Sequence, residues 1–547
     1  MLKRLIQNFI IHTNYWPWTW VYKQCYGFLL RMTVTILKKQ KEVAAIYLTG
    51  GFVTGECFYG LSDIDLIVIV GNGPDDKPIV EKTYRSLCRF IPLIKYDERG
   101  LFTEAEIEKI YHDRYKSDIY LKHLYAKFKL FNETKKNGKL LYGKDIFSQY
   151  PELKGAQRKE LLLGHLAFVH SLFIDHFILK KNHKNKRMQN YVCYKVNADV
   201  SRSLMSAKNH EDWLDRGDAL KGIQPEFDER NKIHIERLLA FKKNGFQTYD
   251  SCFVSSSYEF YMTALTKTLE ALSAIADYDD GNEWSPDNLR LDFESADIII
   301  SHENKKKLDS IVKIIHEKYQ EDIESIFISP LDLVCINESN IGLFIKSKNN
   351  IPFEMIDELN KVMAKNEAPQ RLSLYGITSY GAVSLSKQEP PLMRSALFSP
   401  NLMPLIFLYV STPYASILGG PLQCQTSQSI LVNHFLKDFL GSLEEDKRMI
   451  LNILAEPTIV RLSNIQFQLF FWQALRLKLV EDSLAKKRIF VPLSSSQVYQ
   501  GYPESSFPEM PWLKTFHEEY RKDLNGESSD TETYFLSTLK TLKILYS

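Results

Sequence analysis

The chain has 547 residues, 44% of them hydrophobic and 25% charged, enough for two to four domains of roughly 150 residues each. Its formal net charge of +2 argues against a strongly basic nucleic-acid coat protein and against an acidic tail. Gly and Pro usage, at 24 and 21 residues, excludes collagen-like and low-complexity classes, and seven cysteines without a Cys-x-x-Cys pair argue against a zinc ribbon or a disulfide framework, pointing to a reducing, cytoplasmic setting. No signal peptide is expected at the N-terminus, because residues 1–12 lack an apolar core followed by a small-residue cleavage site. The longest apolar stretch, near 402–410, is too short to span a bilayer, so no membrane association is expected. The aromatic run 15–20 is expected to pack on the chain's own core.

Residues 21–42 have the period of an amphipathic helix, with Tyr22, Cys25, Phe28, Leu29, Met32 and Ile36 on one side. A short β-type run, 45–49, ends at Gly50-Gly51. A loop leads to a second, 63–70, which lies between Gly60 and Gly71-Asn72-Gly73-Pro74. Asp75, Asp76 and Pro78 predict a helix start for 80–90, and 90–96 predicts a third strand. Beyond Glu104 the pattern is helical, with loops near 136–145, 182–188 and 208–230. The basic cluster 180–187 is expected to be a solvated loop rather than an RNA patch. His165, His170, Asp175 and His176 share one predicted helix, but their spacing does not put a metal trio on one face.

The chain also repeats itself. Ile46-Tyr47-Leu48-Thr49 aligns with Ile326-Phe327-Ile328-Ser329, and Asp63-Ile64-Asp65-Leu66 with Asn340-Ile341-Gly342-Leu343. Leu141-Tyr142-Gly143 aligns with Leu418-Gly419-Gly420, and 261–269 with 534–542. The order is kept at a nearly constant offset close to half the chain, which predicts a tandem duplication linked through 277–286. The expected domains are 1–150, 151–276, 285–425 and 426–547: in each half a small α+β unit, then a helical one.

The first half carries the chemistry. Strand residues two apart point the same way, so Asp63 and Asp65 present two carboxylates side by side. Like charges that close favour a cation between them. Hard oxygen donors on a rigid strand suit Mg²⁺, which takes further ligands from substrate phosphates. A Gly-Gly turn offers backbone N–H groups without side-chain bulk, so a phosphate chain can lie against it.

The segment Tyr47-Leu48-Thr49-Gly50-Gly51, followed by Gly60-Leu61-Ser62-Asp63-Ile64-Asp65-Leu66, resembles the signature of the polymerase-beta-like nucleotidyltransferase superfamily, above all its minimal and antibiotic-modifying members. The resemblance extends over about residues 20–145. Many relatives have Ser where Gly51 stands, which leaves triphosphate contact to the backbone here. The resemblance implies an α+β fold built on small mixed sheets with flanking helices. It also implies two Mg²⁺ ions, a nucleoside triphosphate donor (ATP in the simplest case) and a third carboxylate. Asp97 is the expected third carboxylate and Glu98 the runner-up, giving Asp63, Asp65 and Asp97 as catalytic and metal-binding residues, with Gly50, Gly51 and Ser62 on the nucleotide. The implied reaction moves a nucleoside monophosphate to a hydroxyl and releases pyrophosphate. The near-neutral charge favours a small-molecule or protein acceptor over RNA. In the second half Asn340, Gly342 and Leu374 replace the three carboxylates and Pro330-Leu331 replaces the glycine pair, so that half is expected to be a degenerate copy. The alternative is a nucleotide-binding scaffold with little turnover.

Overall fold

The computed structural model describes residues 9–10, 13, 17–59, 62–91, 100–112, 125–179, 186–209, 215–246, 253–275, 289–291, 293, 300–332, 337–364, 370–386, 397–398, 404–426, 428, 430–432, 435, 447–448, 450–451, 454–455, 464–485, 489–491, 495–501, 512–525 and 535–545. The chain divides into two compact units, Met1–Tyr278 and Asp279–Ser547. The expected link, 277–286, lies outside the described residues. Both units are α+β, each with a small mixed sheet and flanking helices.

In the first unit, helix α1 (Trp18–Leu37) precedes strand β1 (Val43–Thr49), and a helical turn, Gly51–Thr54, follows it. Then come β2 (Asp65–Val70), helix α2 (Asp76–Phe90), β3 (Leu101–Thr103), helix α3 (Glu104–His112), a π-helical turn (Lys129–Thr134) and β4 (Lys139–Gly143). The sheet order is β3-β2-β1-β4, with β1 antiparallel to β2 and β4, and β2 parallel to β3. Both faces are covered, which is why the central strands read as unbroken apolar runs. Ile46, Leu48, Leu66 and Val68 pack with Tyr26 and Leu30 of α1 and Val80 and Tyr84 of α2. Tyr47, Ile67 and Ile69 face the other way, onto Ile107, Phe128, Phe131 and Leu161.

Of the third strand expected at 90–96, only the first two residues are among those described. Phe90 ends α2, residues 92–96 lie outside the described residues, and the strand beside β2 is Leu101–Thr103. The expected loop at 136–145 contains β4, an edge strand whose exposed residues do not alternate. It ends at Gly143, where φ is +85° and a Cβ would fall 1.9 Å from the Ala44 carbonyl oxygen, so only glycine fits.

The helical region of this unit holds α4 (Gly155–Phe173) running into the π-helical turn Ile174–Ile178, α5 (Lys186–Asn209), α6 (Arg216–Ile223), α7 (Glu229–Lys243) and α8 (Phe253–Ser273). Helix α6 falls inside the expected 208–230 loop. It is started by Asp215, whose carboxylate accepts from the Gly217 and Asp218 N–H groups. The segment Gly155–Ile178 is long and apolar enough to cross a bilayer, unlike the 402–410 stretch, but most of it is buried inside the unit, as in a core helix. Its histidines are core pins: His165 Nδ1 meets Ser203 Oγ at 2.9 Å, His170 Nδ1 the Tyr261 hydroxyl at 3.1 Å, and His176 Nε2 the Cys193 sulfur at 3.4 Å. Most of the basic cluster, 180–185, lies outside the described residues.

In the second unit, β5 (Leu289–Arg290) pairs in parallel with β12 (Ile489–Phe490). Helix α9 (His302–Lys318) leads into β6 (Ile323–Asp332), β7 (Asn337–Ser347), α10 (Phe353–Met363), β8 (Arg371–Thr378), β9 (Gly381–Ser384), β10 (Leu397–Phe398), α11 (Pro404–Val410) and β11 (Ser416–Leu418). The sheet order is β10-β9-β8-β7-β6-β11. Helices α12 (Asn464–Ala485), α13 (Ser495–Gly501), α14 (Leu513–Asn525) and α15 (Phe535–Leu545) share a core around Phe471, Trp472, Phe516 and Leu542.

Candidate active site

The β1–β2 ladder ends with Thr49 opposite Asp65. Beyond it the chain turns at Gly50, where φ is +70°, a region that side chains rarely enter. A Cβ on Gly50 would lie 2.6 Å from Asp65 Oδ2. The first glycine of the turn is therefore demanded twice, by its backbone angle and by the carboxylate lying against it. Asp63 is exposed, Ile64 buried and Asp65 half-buried, the alternation expected of two carboxylates on one side of a strand end.

The loop between turn and carboxylates is clamped from two directions. On one side Tyr26 of α1 stacks on Phe52 at 6.1 Å, meets Tyr59 edge-on at 4.9 Å and donates its hydroxyl to the Ser62 carbonyl at 3.3 Å. On the other, the Ser62 hydroxyl lies 3.2 Å from that of Tyr191 on α5 and accepts the Phe58 N–H at 3.0 Å. The Ser62 side chain is thus engaged in holding the loop. Burial pushes the Cys57 thiol up to about 12, with the charges of Asp63 and Asp65 adding to the shift against the hydrogen bond from Ser62.

Helix α5 presents Tyr191, Lys195, Asp199 and Arg202 on one face, spaced by four, four and three residues. Lys195 reaches the field of Asp63. Burial alone would lower its pKa, but Tyr191, Asp199 and Asp63 outweigh that and raise it. Its ammonium sits 6.0 Å from the Phe168 ring centre and makes no ion pair among the described residues. Glu133, on the π-helical turn, is raised by burial and by the neighbouring Asp65 charge, against Lys129. Beneath this face is a buried ion cluster. Asp199 takes a two-pronged contact from Arg216, at 2.7 and 3.1 Å, and Glu56 lies 3.2 Å from both Arg202 and Arg216. Burial would raise Asp199, but the two guanidiniums hold it well below the usual carboxylate range.

Of the residues picked from sequence, Gly50 and Asp65 come together, Asp63 stands beside Asp65, and Gly51 and Ser62 hold the connecting loop. Asp97 and Glu98 lie outside the described residues. Lys195, Glu133 and the Glu56 cluster escaped sequence reasoning, since their signal is proximity across 70 to 160 residues of chain. Among the described residues no group of three or more His, Cys, Asp or Glu side chains is ready to hold a metal. Two hard carboxylates on one side of a strand end nonetheless fit a Mg²⁺ that takes its remaining ligands from water and phosphate.

Residues 30–133 match the family model described as a nucleotidyltransferase domain. No curated protein matches the chain. Among solved structures, a spectinomycin adenyltransferase from Enterococcus faecialis, crystallised with ATP and spectinomycin, is 12% identical. The match covers 44% of this chain and 99% of that one, with a TM-score of 0.29.

Proposed function

We propose that the first unit, whose residues 30–133 match the nucleotidyltransferase-domain model, belongs to the polymerase-beta-like superfamily and moves a nucleoside monophosphate from a nucleoside triphosphate, ATP in the simplest case, to a hydroxyl of a small molecule or protein. The acceptor oxygen bonds to the α-phosphorus, the bond to the β-phosphate oxygen breaks, pyrophosphate leaves, and the hydroxyl proton passes to a carboxylate. The observation that carries this proposal is the Asp65 carboxylate lying against Gly50, with Asp63 beside it. Asp63 and Asp65 would hold Mg²⁺, and Asp97 would complete the set. Magnesium, when bound, would neutralise the triphosphate and sharpen the acceptor hydroxyl. Gly50 and Gly51 would offer backbone to the phosphates, Ser62 would keep the loop in place, and the Lys195 ammonium would face the triphosphate.

The second unit, in the same proposal, is a degenerate copy. What supports it is the shared connectivity: helix, antiparallel strand pair, helix, third strand parallel to the second, and a last strand antiparallel to the first. Ser329 sits opposite Gly342 as Thr49 sits opposite Asp65. Gly143 and Gly419, at φ +85° and +79°, press against Ala44 and Glu324 respectively, four residues before Leu48 and Ile328. That pairing moves the sequence alignment by one residue, matching Gly143 with Gly419 rather than Gly420. Leu331 stands in the place of Gly51, and a Cβ on Gly342 would meet it at 2.6 Å, so apolar side chains fill the position of the carboxylate.

Calorimetric titration of the full chain with Mg²⁺ and α,β-methylene-ATP tests the proposal. Binding that needs Mg²⁺ and disappears in Asp63→Asn/Asp65→Asn is the expected result. Binding that survives the double substitution overturns the site; Mg²⁺-dependent binding with little pyrophosphate release from ATP across hydroxyl acceptors favours the scaffold alternative, and no nucleotide binding to the wild type overturns both readings.

A further inference from the structure

The described part of the loop between Gly51 and Asp63 holds one helical turn, Gly51–Thr54, and a bridge between Tyr59 and Ser62, and it must hold its course if a triphosphate is to lie on it. Glu56 is the buried carboxylate in that loop, 5% exposed. Its Oε1 accepts the backbone N–H of Arg216 at 2.9 Å, and its Oε2 lies 3.2 Å from Arg202 Nη2 and 3.2 Å from Arg216 Nη1. Lys242 Nζ stands 3.8 Å from Oε1 and 3.3 Å from Asp215 Oδ1. The cluster therefore balances Glu56, Asp199 and Asp215 against Arg202, Arg216 and Lys242. Such a balanced set has no spare charge with which to recruit a ligand, and burying it is expensive compared with an apolar core. What it supplies is a fixed geometry, because a guanidinium fork holds its partners by direction as well as by charge.

We propose that Glu56 is a positioning residue, bracing the nucleotide turn against α5 and α6 through Arg202 and Arg216. The coupling is short. A Cβ on Gly51 would lie 3.2 Å from the Glu56 carbonyl oxygen, so a displaced Glu56 moves directly into the glycine turn. The far end of the loop is tied to the same helix by Ser62 and Tyr191. Helix α5 thus carries Tyr191, Lys195, Asp199 and Arg202 on one face: the two loop anchors flank a lysine whose ammonium lies 6.0 Å from the Phe168 ring centre and whose pKa the Asp63 charge helps to raise. Turn and cation thus share helix α5 as a support. This inference rests on the nucleotide site proposed above.

The test uses the full chain with Mg²⁺ and α,β-methylene-ATP, at a temperature well below the melting transition of every variant. Glu56→Ala is expected to weaken binding at least tenfold and to speed amide exchange in peptides spanning 50–62, with α8 unchanged. Glu56→Gln, which keeps length and one acceptor, should fall between it and the wild type. Should Glu56→Ala fail to fold, Glu56→Gln and Arg216→Lys carry the test, with about threefold losses expected. A lower melting temperature with wild-type affinity and wild-type exchange at 50–62 would mark a purely structural ion cluster and overturn the proposal. The double variant Asp63→Asn/Asp65→Asn separates the two claims. If it binds like the wild type, the nucleotide site itself is wrong, and Glu56 positions nothing. If it does not bind while the Glu56 variants do so normally, only the positioning role is lost.

Discussion

Gly50 is the residue on which the site turns. Its φ of +70° and the Asp65 oxygen 2.6 Å from any Cβ mean that Gly50→Ala must either shift the turn or push the carboxylate aside. A loss of about 1–3 kcal/mol in stability, from strain at a special backbone angle, is expected. Magnesium-dependent nucleotide binding should fall at least tenfold, and chemical denaturation and calorimetry on the same protein separate the two effects. Lys195 makes a different prediction. A cation that faces the β- and γ-phosphates matters to the triphosphate and not to the monophosphate. Lys195→Gln should therefore weaken ATP about tenfold and leave AMP unchanged; equal losses for both would place Lys195 elsewhere. The proton acceptor can be found by the same kind of contrast. Asp97→Asn should abolish pyrophosphate release while nucleotide still binds. If Glu133→Gln does so instead, the half-buried acid whose pKa the Asp65 charge helps to raise takes the role assigned to Asp97. Asp63 and Asp65 were legible because their message is local: two residues, one strand, one face. Lys195 and Glu133 were not, because nothing near them in sequence marks which strand end they approach.

Elements carry the next level. Strands β1 and β2 were legible since burial on both faces writes an apolar run. Strand β3, three residues long, and the edge strand β4 write no such pattern. Helix α6 hid inside a polar stretch because its start depends on a single cap, Asp215. Helix α4 gives a pH prediction. His165 is 3% exposed, with its ring against Phe128 and its Nδ1 on Ser203, and burial pushes its pKa down to about 3. The folded form therefore resists a proton that the unfolded chain takes up near 6.5. Between those values the unfolded state holds more protons, so stability falls as pH falls, by up to about 1.4 kcal/mol per unit. Urea denaturation at pH 7.5 and 5.5 should show that loss, and His165→Gln should flatten its slope. An unchanged slope would mean that other groups dominate the acid limb.

At the scale of the whole molecule, the question is how many nucleotides one chain takes. The two units share the order of four strands, to which the second adds β9 and β10, but their hairpins end differently. In the first, the ladder stops at Thr49 and Asp65, so the glycine turn that begins at Gly50 lies outside it. In the second, pairing continues through Pro330 with Ile341 and on to Asp332 with Asn337. Backbone groups that lie in the glycine turn of the first unit belong to a ladder in the second, and a group already paired offers little to a phosphate. Leu331 and Phe344 then crowd the one position where a carboxylate would stand. Calorimetry should accordingly give one nucleotide per chain, all of it lost in Asp63→Asn/Asp65→Asn. The sharper test is to place acids there. Asn340→Asp/Gly342→Asp introduces an Asp-x-Asp pair into the second unit, yet no second site is expected, because Leu331 and Phe344 fill the position and the ladder is closed. The carboxylate introduced by Gly342→Asp would instead be forced between two apolar side chains at a buried position, which costs several kcal/mol without a partner. Denaturation should show the second unit weakened and the stoichiometry still at one. A second Mg²⁺-dependent nucleotide in that variant would mean that the lack of acids alone, and not the filled position, keeps the second unit empty.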